Sequence, residues 1–84
     1  MLYDVVHVEP VDHLLLKVRF SDGTSGEVRF EHSHLNGVFA ALKDRDYFYR
    51  VHCANGFVEW PGDLDLAPDA MYDAVKESGV WVLA

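Results

Sequence analysis

The fold is decided by ten residues near the end of the chain: Trp60-Pro61-Gly62-Asp63-Leu64-Asp65-Leu66-Ala67-Pro68-Asp69. A strand must end before Pro61, because proline cannot donate to a strand ladder, and Gly62 permits a sharp turn. Pro68 suits the first turn of a helix, where a missing N–H costs nothing. The stretch therefore predicts a strand, a turn and a helix over residues 67–78, with Gly79 as its C-terminal stop.

A hairpin over residues 47–60 is predicted just before this turn. Asn55-Gly56 between two apolar runs indicates a two-residue type I′ turn, because both central positions of that turn need a positive φ. The register then pairs Ala54 with Phe57, Cys53 with Val58, His52 with Glu59 and Val51 with Trp60. Alternation along the strands puts Cys53 and Trp60 on the core side, with His52 and Glu59 on the outside.

The start of the chain predicts a three-stranded antiparallel meander over residues 1–31. Apolar side chains alternate with Lys17 and Arg19 along the second strand, which is typical of a half-buried strand. Ser21-Asp22-Gly23 supplies the turn to a third strand. This opening sheet should therefore have one apolar face and one charged face.

A first helix is predicted over residues 34–44. Its apolar residues fall at positions i, i+3, i+4 and i+7, the spacing of one helix face; these are Leu35, Val38, Phe39 and Leu42. The apolar tail over residues 79–84 contains Trp81, and burying a large aromatic side chain is worth about 2–3 kcal/mol. We expect the tail to fold back on the sheet, and pairing with a neighbouring chain is the alternative.

These elements predict one α+β domain over residues 1–84. The expected architecture is a two-layer β-β-β-α-β-β-α sandwich, with two short helices on an antiparallel or mixed five-stranded sheet. The length of 84 residues and the 50% hydrophobic composition fit a single globular unit.

Composition also limits the function. A formal net charge of −7, from 14 acidic and 7 basic residues, repels phosphate backbones and argues against direct nucleic-acid binding. The apolar runs are too short to cross a membrane, and no signal segment is apparent. The single cysteine, Cys53, excludes an internal disulfide. We therefore expect a cytoplasmic protein.

No residue set indicates catalysis, a cofactor or a metal. Asp63, Asp65 and Asp69 fit the first positions of a calcium loop, but the glycine and the final glutamate of that loop are missing. His32 and His34 could share a metal if extended, yet zinc sites need three or four converging ligands. Cys53 and His52 point to opposite faces of a strand and cannot form a nucleophile–base pair. We expect a protein that is not an enzyme.

Two motifs resemble a small bacterial family of domains of unknown function: an F-x-D-G turn at Phe20-Ser21-Asp22-Gly23, and a W-P-x-G-x-D-[IL]-x-P segment beginning at Trp60. The likeness covers roughly Tyr3 to Tyr72. It implies a two-layer α+β domain that occurs alone or ahead of a helix-turn-helix domain. Stand-alone members resemble companions of toxin-like proteins encoded beside them. The turn after Trp60 is one residue tighter here, and the resemblance carries over no catalytic residue.

The polar side of the predicted sheet is the candidate interaction face. It combines arginine and tyrosine, which are enriched at protein interfaces. Its predicted members are Lys17, Arg19, Arg29, Tyr49, Arg50, His52, Glu59 and Trp81. The leading hypothesis is a regulatory module that binds another protein, as a monomer or homodimer. The alternatives are an acidic inhibitor of a nucleic-acid enzyme and a small metal-dependent enzyme that uses His32 and His34.

Overall fold

The computed structural model describes residues 3–84 and has a mixed α+β architecture. Its strands are β1 (Val5–Asp12), β2 (Leu15–Phe20), β3 (Ser25–Phe30), β4 (His52–Ala54), β5 (Phe57–Trp60), β6 (Leu64–Leu66) and β7 (Val80–Leu83). Its α-helices are α1 (Arg45–Phe48) and α2 (Pro68–Ser78), and two 3₁₀ helices cover His32–His34 and Gly37–Lys43. Over residues 3–84, no helix has the length and apolarity needed to span a membrane.

The strands form two sheets, so the expected single five-stranded sheet is wrong. The first sheet has the order β1-β2-β3-β7, and the second has the order β4-β5-β6. The second sheet arises because Gly62 and Asp63 both have positive φ, 95° and 69°, and turn the chain back along β5. Leu64–Leu66 then pairs with β5 before α2 begins. This third strand was not predicted, because three residues between a turn and a proline give little periodicity.

The expectation that the tail folds back on the sheet is confirmed. β7 lies parallel to β3, with Trp81 beside Val28 and Leu83 beside Phe30. A parallel connection needs a crossover, and α2 provides it on the inner side of the sheet. Gly79 ends α2 in the left-handed region at a φ of 81°, and its carbonyl accepts the Glu27 N–H at 3.1 Å.

The predicted helix over residues 34–44 is shorter, spanning Gly37–Lys43, and is a 3₁₀ helix. Leu35 and Leu42 are buried as expected, but Val38 is 73% exposed and Phe39 only half-buried. Gly37 has a φ of 57°, which an α-helix cannot accommodate, and the segment after it is a 3₁₀ helix. The apolar spacing thus marked contacts with the core without specifying the type of helix.

The predicted hairpin is shorter than 47–60, although its register is correct. Ala54 faces Phe57, Cys53 faces Val58 and His52 faces Glu59. The pairing of Val51 with Trp60 is absent, because β4 begins at His52. Residues before it form α1 instead, where the Asp44 carboxylate accepts hydrogen bonds from the backbone N–H groups of Asp46 and Tyr47.

One core joins the two sheets. The inner faces of β2 and β3 contribute Leu16, Val18, Phe20, Val28 and Phe30, each at most 3% exposed. The second sheet contributes Val58, Trp60, Leu64 and Leu66, and α2 contributes Met71 and Val75. The Trp60 ring lies 6.1 Å from that of Phe30 and 5.9 Å from that of Phe48, and its Nε1–H donates to the Phe48 carbonyl at 2.9 Å. This core fixes the inner side of the first sheet and leaves its other side open.

Candidate interaction surface

The structure divides the predicted interaction face between separate parts of the molecule. Lys17, Arg19 and Arg29 lie on the outer side of the first sheet. Tyr49, Arg50, His52 and Glu59 belong to the segment after α1 and to the second sheet. Trp81 pairs with Val28 on the inner side and is half-buried against the core, so placing it on the polar face was wrong. The cause is the division of the strands into two sheets.

The outer face of the first sheet is a mainly polar surface formed by four strands. Its residues, which we call the outer face, are His7, Glu9, Asp12, Leu15, Lys17, Arg19, Ser25, Glu27, Arg29, Val80 and Val82. Cross-strand pairs set its rows: His7, Arg19 and Ser25 form one, and Glu9, Lys17 and Glu27 the next. Lys17, Arg19 and Arg29 are all exposed, and no described element covers them.

The three cations of this face stand apart from the polar contacts of residues 3–84. Over residues 3–84, the side chains of Lys17, Arg19 and Arg29 make no hydrogen bond and no ion pair within 4.0 Å. The described ion pairs lie elsewhere or use other groups, such as His7 Nε2 with Glu9 Oε1 at 3.6 Å. Three unpaired cations are unexpected in a chain with twice as many acids as bases.

Charge is divided unevenly between the outer face and the rest of the molecule. The outer face holds three of the seven basic residues and three of the fourteen acids. The remainder therefore carries four basic residues against eleven acids, a formal charge of −7. Asp12 lies opposite Leu15 at the end of β1 and is paired with Arg45 of α1, with Oδ1 and Nη1 3.7 Å apart. The outer face is thus formally neutral on an otherwise acidic domain.

A shallow depression marks one end of this face. It has a volume of about 380 Å³ and is lined by His7, Lys17, Val18, Arg19 and Ser25. Ammonium, guanidinium, imidazole and hydroxyl groups are all donors that suit carboxylate or phosphate oxygens. The chemistry of this depression therefore favours an anionic group.

The polar groups of α1 and the second sheet differ from the cations of the outer face, because several of them bind one another. His52 Nε2 lies 3.1 Å from Glu59 Oε1, across the hairpin as predicted. Arg45 donates to the Tyr49 hydroxyl at 3.2 Å and lies over the Tyr49 ring. Tyr49 and His52 therefore already have partners within the chain, and exposed Arg50 follows Tyr49 directly in the sequence.

The remaining candidates do not converge on one site. Over the described part of the chain, no three His, Cys, Asp or Glu side chains lie close enough together to hold a metal ion. His34 lies against the Phe39 ring at 4.7 Å, and Cys53 is half-buried beside the core. His13 is half-buried: its Nε2 lies 2.9 Å from the Leu42 carbonyl oxygen, and its ring packs against Phe48.

Comparison with known families gives one match. The profile of a family described as "Protein of unknown function (DUF2442)" matches residues 5–77. The chain belongs to the DUF2442 family. Neither the comparison with curated proteins nor that with solved structures finds a significant match for this DUF2442 chain. The match covers all of the outer face except β7.

The F-x-D-G turn of this DUF2442 protein ties two layers together. Phe20 is buried against the Tyr72 ring of α2, with ring centroids 5.1 Å apart. The Asp22 carboxylate accepts hydrogen bonds from the Tyr72 hydroxyl at 2.5 Å and from the Thr24 N–H at 2.9 Å. These bonds, the Tyr72 hydroxyl first, lower the pKa of Asp22 from its usual 3.8 to about 2. The turn therefore holds α2 against the sheet.

The tryptophan-proline segment likewise serves the fold. Trp60 is buried, and the Pro61 carbonyl accepts a hydrogen bond from the Tyr47 hydroxyl, which holds α1 against this turn. Leu64 and Leu66 are buried on β6, and Pro68 begins α2. The F-x-D-G turn and the tryptophan-proline segment thus build the core and turns of this chain, whereas Lys17, Arg19 and Arg29 lie outside both.

Sequence reasoning missed several members of the outer face. His7, Ser25 and Val82 were left out because strand alternation assigns a side without giving the register. The register places His7 opposite Arg19, and Arg19 opposite Ser25. Alternation along β1 could have put His7 on the polar side, but only the pairing of β1 with β2 shows which cation lies beside it.

Proposed function

We propose that this DUF2442 protein is a non-catalytic regulatory module of the cytoplasm, and that its outer face binds an acidic segment of another protein. The observation that carries the proposal is the set of three unpaired, exposed cations on an uncovered sheet of an acidic chain. Surface cations without partners contribute nothing to the fold. Their concentration on one face therefore suits recognition of a complementary partner.

Charge distribution favours a protein partner over a nucleic acid. A phosphate backbone is an extended polyanion, and the eleven acids beyond the outer face would repel it where it leaves that face. A short acidic segment can lie across β2 and β3 and end before it reaches the acids beyond the outer face. Each new ion pair with Lys17, Arg19 or Arg29 would be exposed and worth about 0.5 kcal/mol. The interaction should therefore be moderate and salt-sensitive.

The family resemblance suggests where to look for the partner. Stand-alone members resemble companions of toxin-like proteins encoded next to them, so the product of the neighbouring gene is the first candidate. The small size and acidity of this chain support that proposal. If the neighbouring gene product is captured together with this chain, it is the protein that this chain regulates.

The experiment captures a partner from cells that express the native locus and then measures its affinity for the full chain by calorimetry. The test variant combines Lys17→Glu, Arg19→Glu and Arg29→Glu. The matched control combines Lys43→Glu, Arg45→Glu and Lys76→Glu, which changes the net charge equally at other places. We expect the first variant to weaken binding at least tenfold, because three ion pairs are replaced by repulsions. We expect the control to retain most of the affinity.

Two results would contradict the proposal. One is the absence of any protein partner from the native locus. The other is equal weakening by the test variant and the control, since net charge alone would then account for binding. Circular dichroism on both variants verifies that each remains folded.

One further observation supports the alternative of an acidic inhibitor. Asp69, Asp73 and Glu77 are all exposed and lie four residues apart along α2, on one face of the helix. If this ridge imitates nucleic acid, the combined Asp69→Asn, Asp73→Asn and Glu77→Gln variant should lose binding while the outer-face variant keeps it. The same calorimetry therefore separates the two functions.

A further inference from the structure

The two sheets have four edge strands, β1, β4, β6 and β7. β4 is three residues long and contacts β1, and two of the other three edges are protected as well. β1 contains Pro10 and two register shifts, and its Val5 N–H donates to the Gly56 carbonyl at 3.0 Å. β6 is three residues long with exposed Asp65 at its centre. Proline, bulges, short length and charge are the usual means of preventing strand addition. These two edges are therefore poor templates for a further strand.

The third edge, β7, has none of these protections. Its sequence, Val80-Trp81-Val82-Leu83, contains no charge and no proline, and it pairs with β3 in an unbroken register. Val82 is 44% exposed on the outer face. Within residues 3–84, no strand lies along its other side. β7 is therefore the edge of this molecule best suited to accept a strand.

The pairing with β3 determines which backbone groups face outward. Glu27 N–H donates to the Gly79 carbonyl at 3.1 Å, and Glu31 N–H donates to the Leu83 carbonyl at 2.9 Å. Because bonding groups alternate along a parallel strand, Trp81 and Leu83 direct their backbone toward β3. The N–H and C=O groups of Val80 and Val82 then point away from the sheet. The Ser78 hydroxyl donates to the Val80 carbonyl at 3.1 Å, which leaves that oxygen a second lone pair.

We propose that β7 pairs antiparallel with β7 of a second copy of this chain, joining two four-stranded sheets into one of eight strands. The outward groups specify the register. With Val80 opposite Val82 of the second copy, both residues of each pair offer an N–H and a C=O, and the two pairs form four main-chain hydrogen bonds. Trp81 then lies opposite its own equivalent on the inner side. A two-fold axis relates the copies, as a closed dimer requires.

A second copy suits this edge because the edge is complementary to itself. Valine meets valine on the outer face, and tryptophan meets tryptophan on the inner one, so no charged side chain of β7 faces a like charge. Two effects limit the affinity: four residues bury less than the roughly 1,200 Å² of a standard interface, and each copy carries a net charge of −7. The dimer should therefore depend on protein concentration and become stronger as salt screens the repulsion.

The test is sedimentation velocity on the full chain over a hundredfold range of concentration, at low and high salt. Val82→Lys places a charge on the pairing edge, and Val11→Lys is the matched control, since Val11 is 52% exposed on β1. We expect wild type and Val11→Lys to dimerise with rising concentration and salt, and Val82→Lys to remain monomeric. Near-ultraviolet circular dichroism should change with dimerisation in wild type and lose that change in Trp81→Phe. Trp60, buried in both states, provides a constant background.

Three results would overturn the proposal. They are a monomer at every concentration and salt, a dimer that persists in Val82→Lys, and β7 amides that gain protection from hydrogen exchange only when a different protein is added. The last result would assign the edge to a foreign strand. None of these measurements involves Lys17, Arg19 or Arg29, and the dimer strengthens with salt whereas an acidic partner would dissociate. Failure here is therefore distinct from failure of the proposed function.

Discussion

The two faces of β2 differ in how completely the fold uses them. On the inner side, Leu16, Val18 and Phe20 are at most 1% exposed and pack into the core shared with the second sheet. On the outer side, Lys17 and Arg19 alternate with them along the same six residues and make no polar contact within the described chain. The inner side chains of β2 are thus part of the core, whereas Lys17 and Arg19 on the same strand make no contact that the fold depends on.

This difference separates residues that specify the fold from residues available for binding. Replacing an inner side chain leaves a cavity or an overpacked core, so the identities there are constrained by volume. An outer cation without a partner has no such constraint from folding. The F-x-D-G turn and the segment that begins at Trp60 both concern the inner side and its turns. A functional difference between related chains should therefore appear first at the outer positions.

The largest expected effect tests this contrast on adjacent residues. Phe20→Ala should destabilise the protein by about 3–5 kcal/mol, because it removes a buried aromatic ring that packs against Tyr72. Arg19→Ala should change stability by less than about 0.5 kcal/mol, because the guanidinium is exposed and unpaired. Urea unfolding monitored by the fluorescence of buried Trp60 measures both. Comparable losses in the two variants would show that Arg19 has a structural role and would remove the basis of the proposed binding face.

Sequence reasoning succeeded where the signal was local. The Asn55-Gly56 loop gave the correct pairing of His52 with Glu59 because a two-residue turn fixes the register of its own strands. The position of α2 followed from Pro68 and Gly79, which act at the helix ends themselves. On the outer face, period-two alternation was enough to identify Lys17 and Arg19.

It failed where the structure depends on distant contacts. Nothing in residues 47–60 shows that the hairpin forms its own sheet rather than extending the meander, because that choice depends on where β6 and β7 pair. The spacing of Leu35 and Leu42 recorded burial correctly but not the 3₁₀ geometry that Gly37 imposes. The grouping of Arg29 with Tyr49 and His52 on one face failed for the same reason as the single sheet.

A smaller effect is expected where the inner side meets α2. A methyl group added at Gly26 would lie 2.6 Å from both the Gly79 carbonyl oxygen and Val75 Cγ1. The backbone oxygen cannot move aside without disturbing its bond to Glu27 N–H, so Gly26→Ala should cost about 1–3 kcal/mol. Ser25→Ala, one residue away on the exposed side, should cost less than about 0.5 kcal/mol. Equal stability of the two variants in urea would mean that β3 and α2 pack less closely than described.

The smallest expected effect concerns Asp22, the exposed acid in the turn between β2 and β3 that accepts a hydrogen bond from Tyr72 of α2. Tyr72→Phe keeps the ring that packs on Phe20 and removes the hydroxyl that donates to the Asp22 carboxylate. Because that hydrogen bond is the main cause of the lowered pKa, the pKa of Asp22 should rise from about 2 toward its usual 3.8. Carbon-detected NMR titration of the carboxyl group measures the change directly.

The same bond predicts how the variant's stability depends on pH. A carboxyl group with a lowered pKa in the folded state stabilises the fold fully above pH 3.8, and that stabilisation is lost as the pH falls through about 2. Tyr72→Phe should therefore be less stable than wild type at neutral pH and nearly equal to it near pH 2. Tyr3→Phe is the control, because the Tyr3 ring packs against Tyr72 while its hydroxyl makes no hydrogen bond within residues 3–84. A difference between wild type and Tyr72→Phe that stays constant across this range would assign the loss to packing, and Asp22 would then resemble the unpaired charges of the outer face.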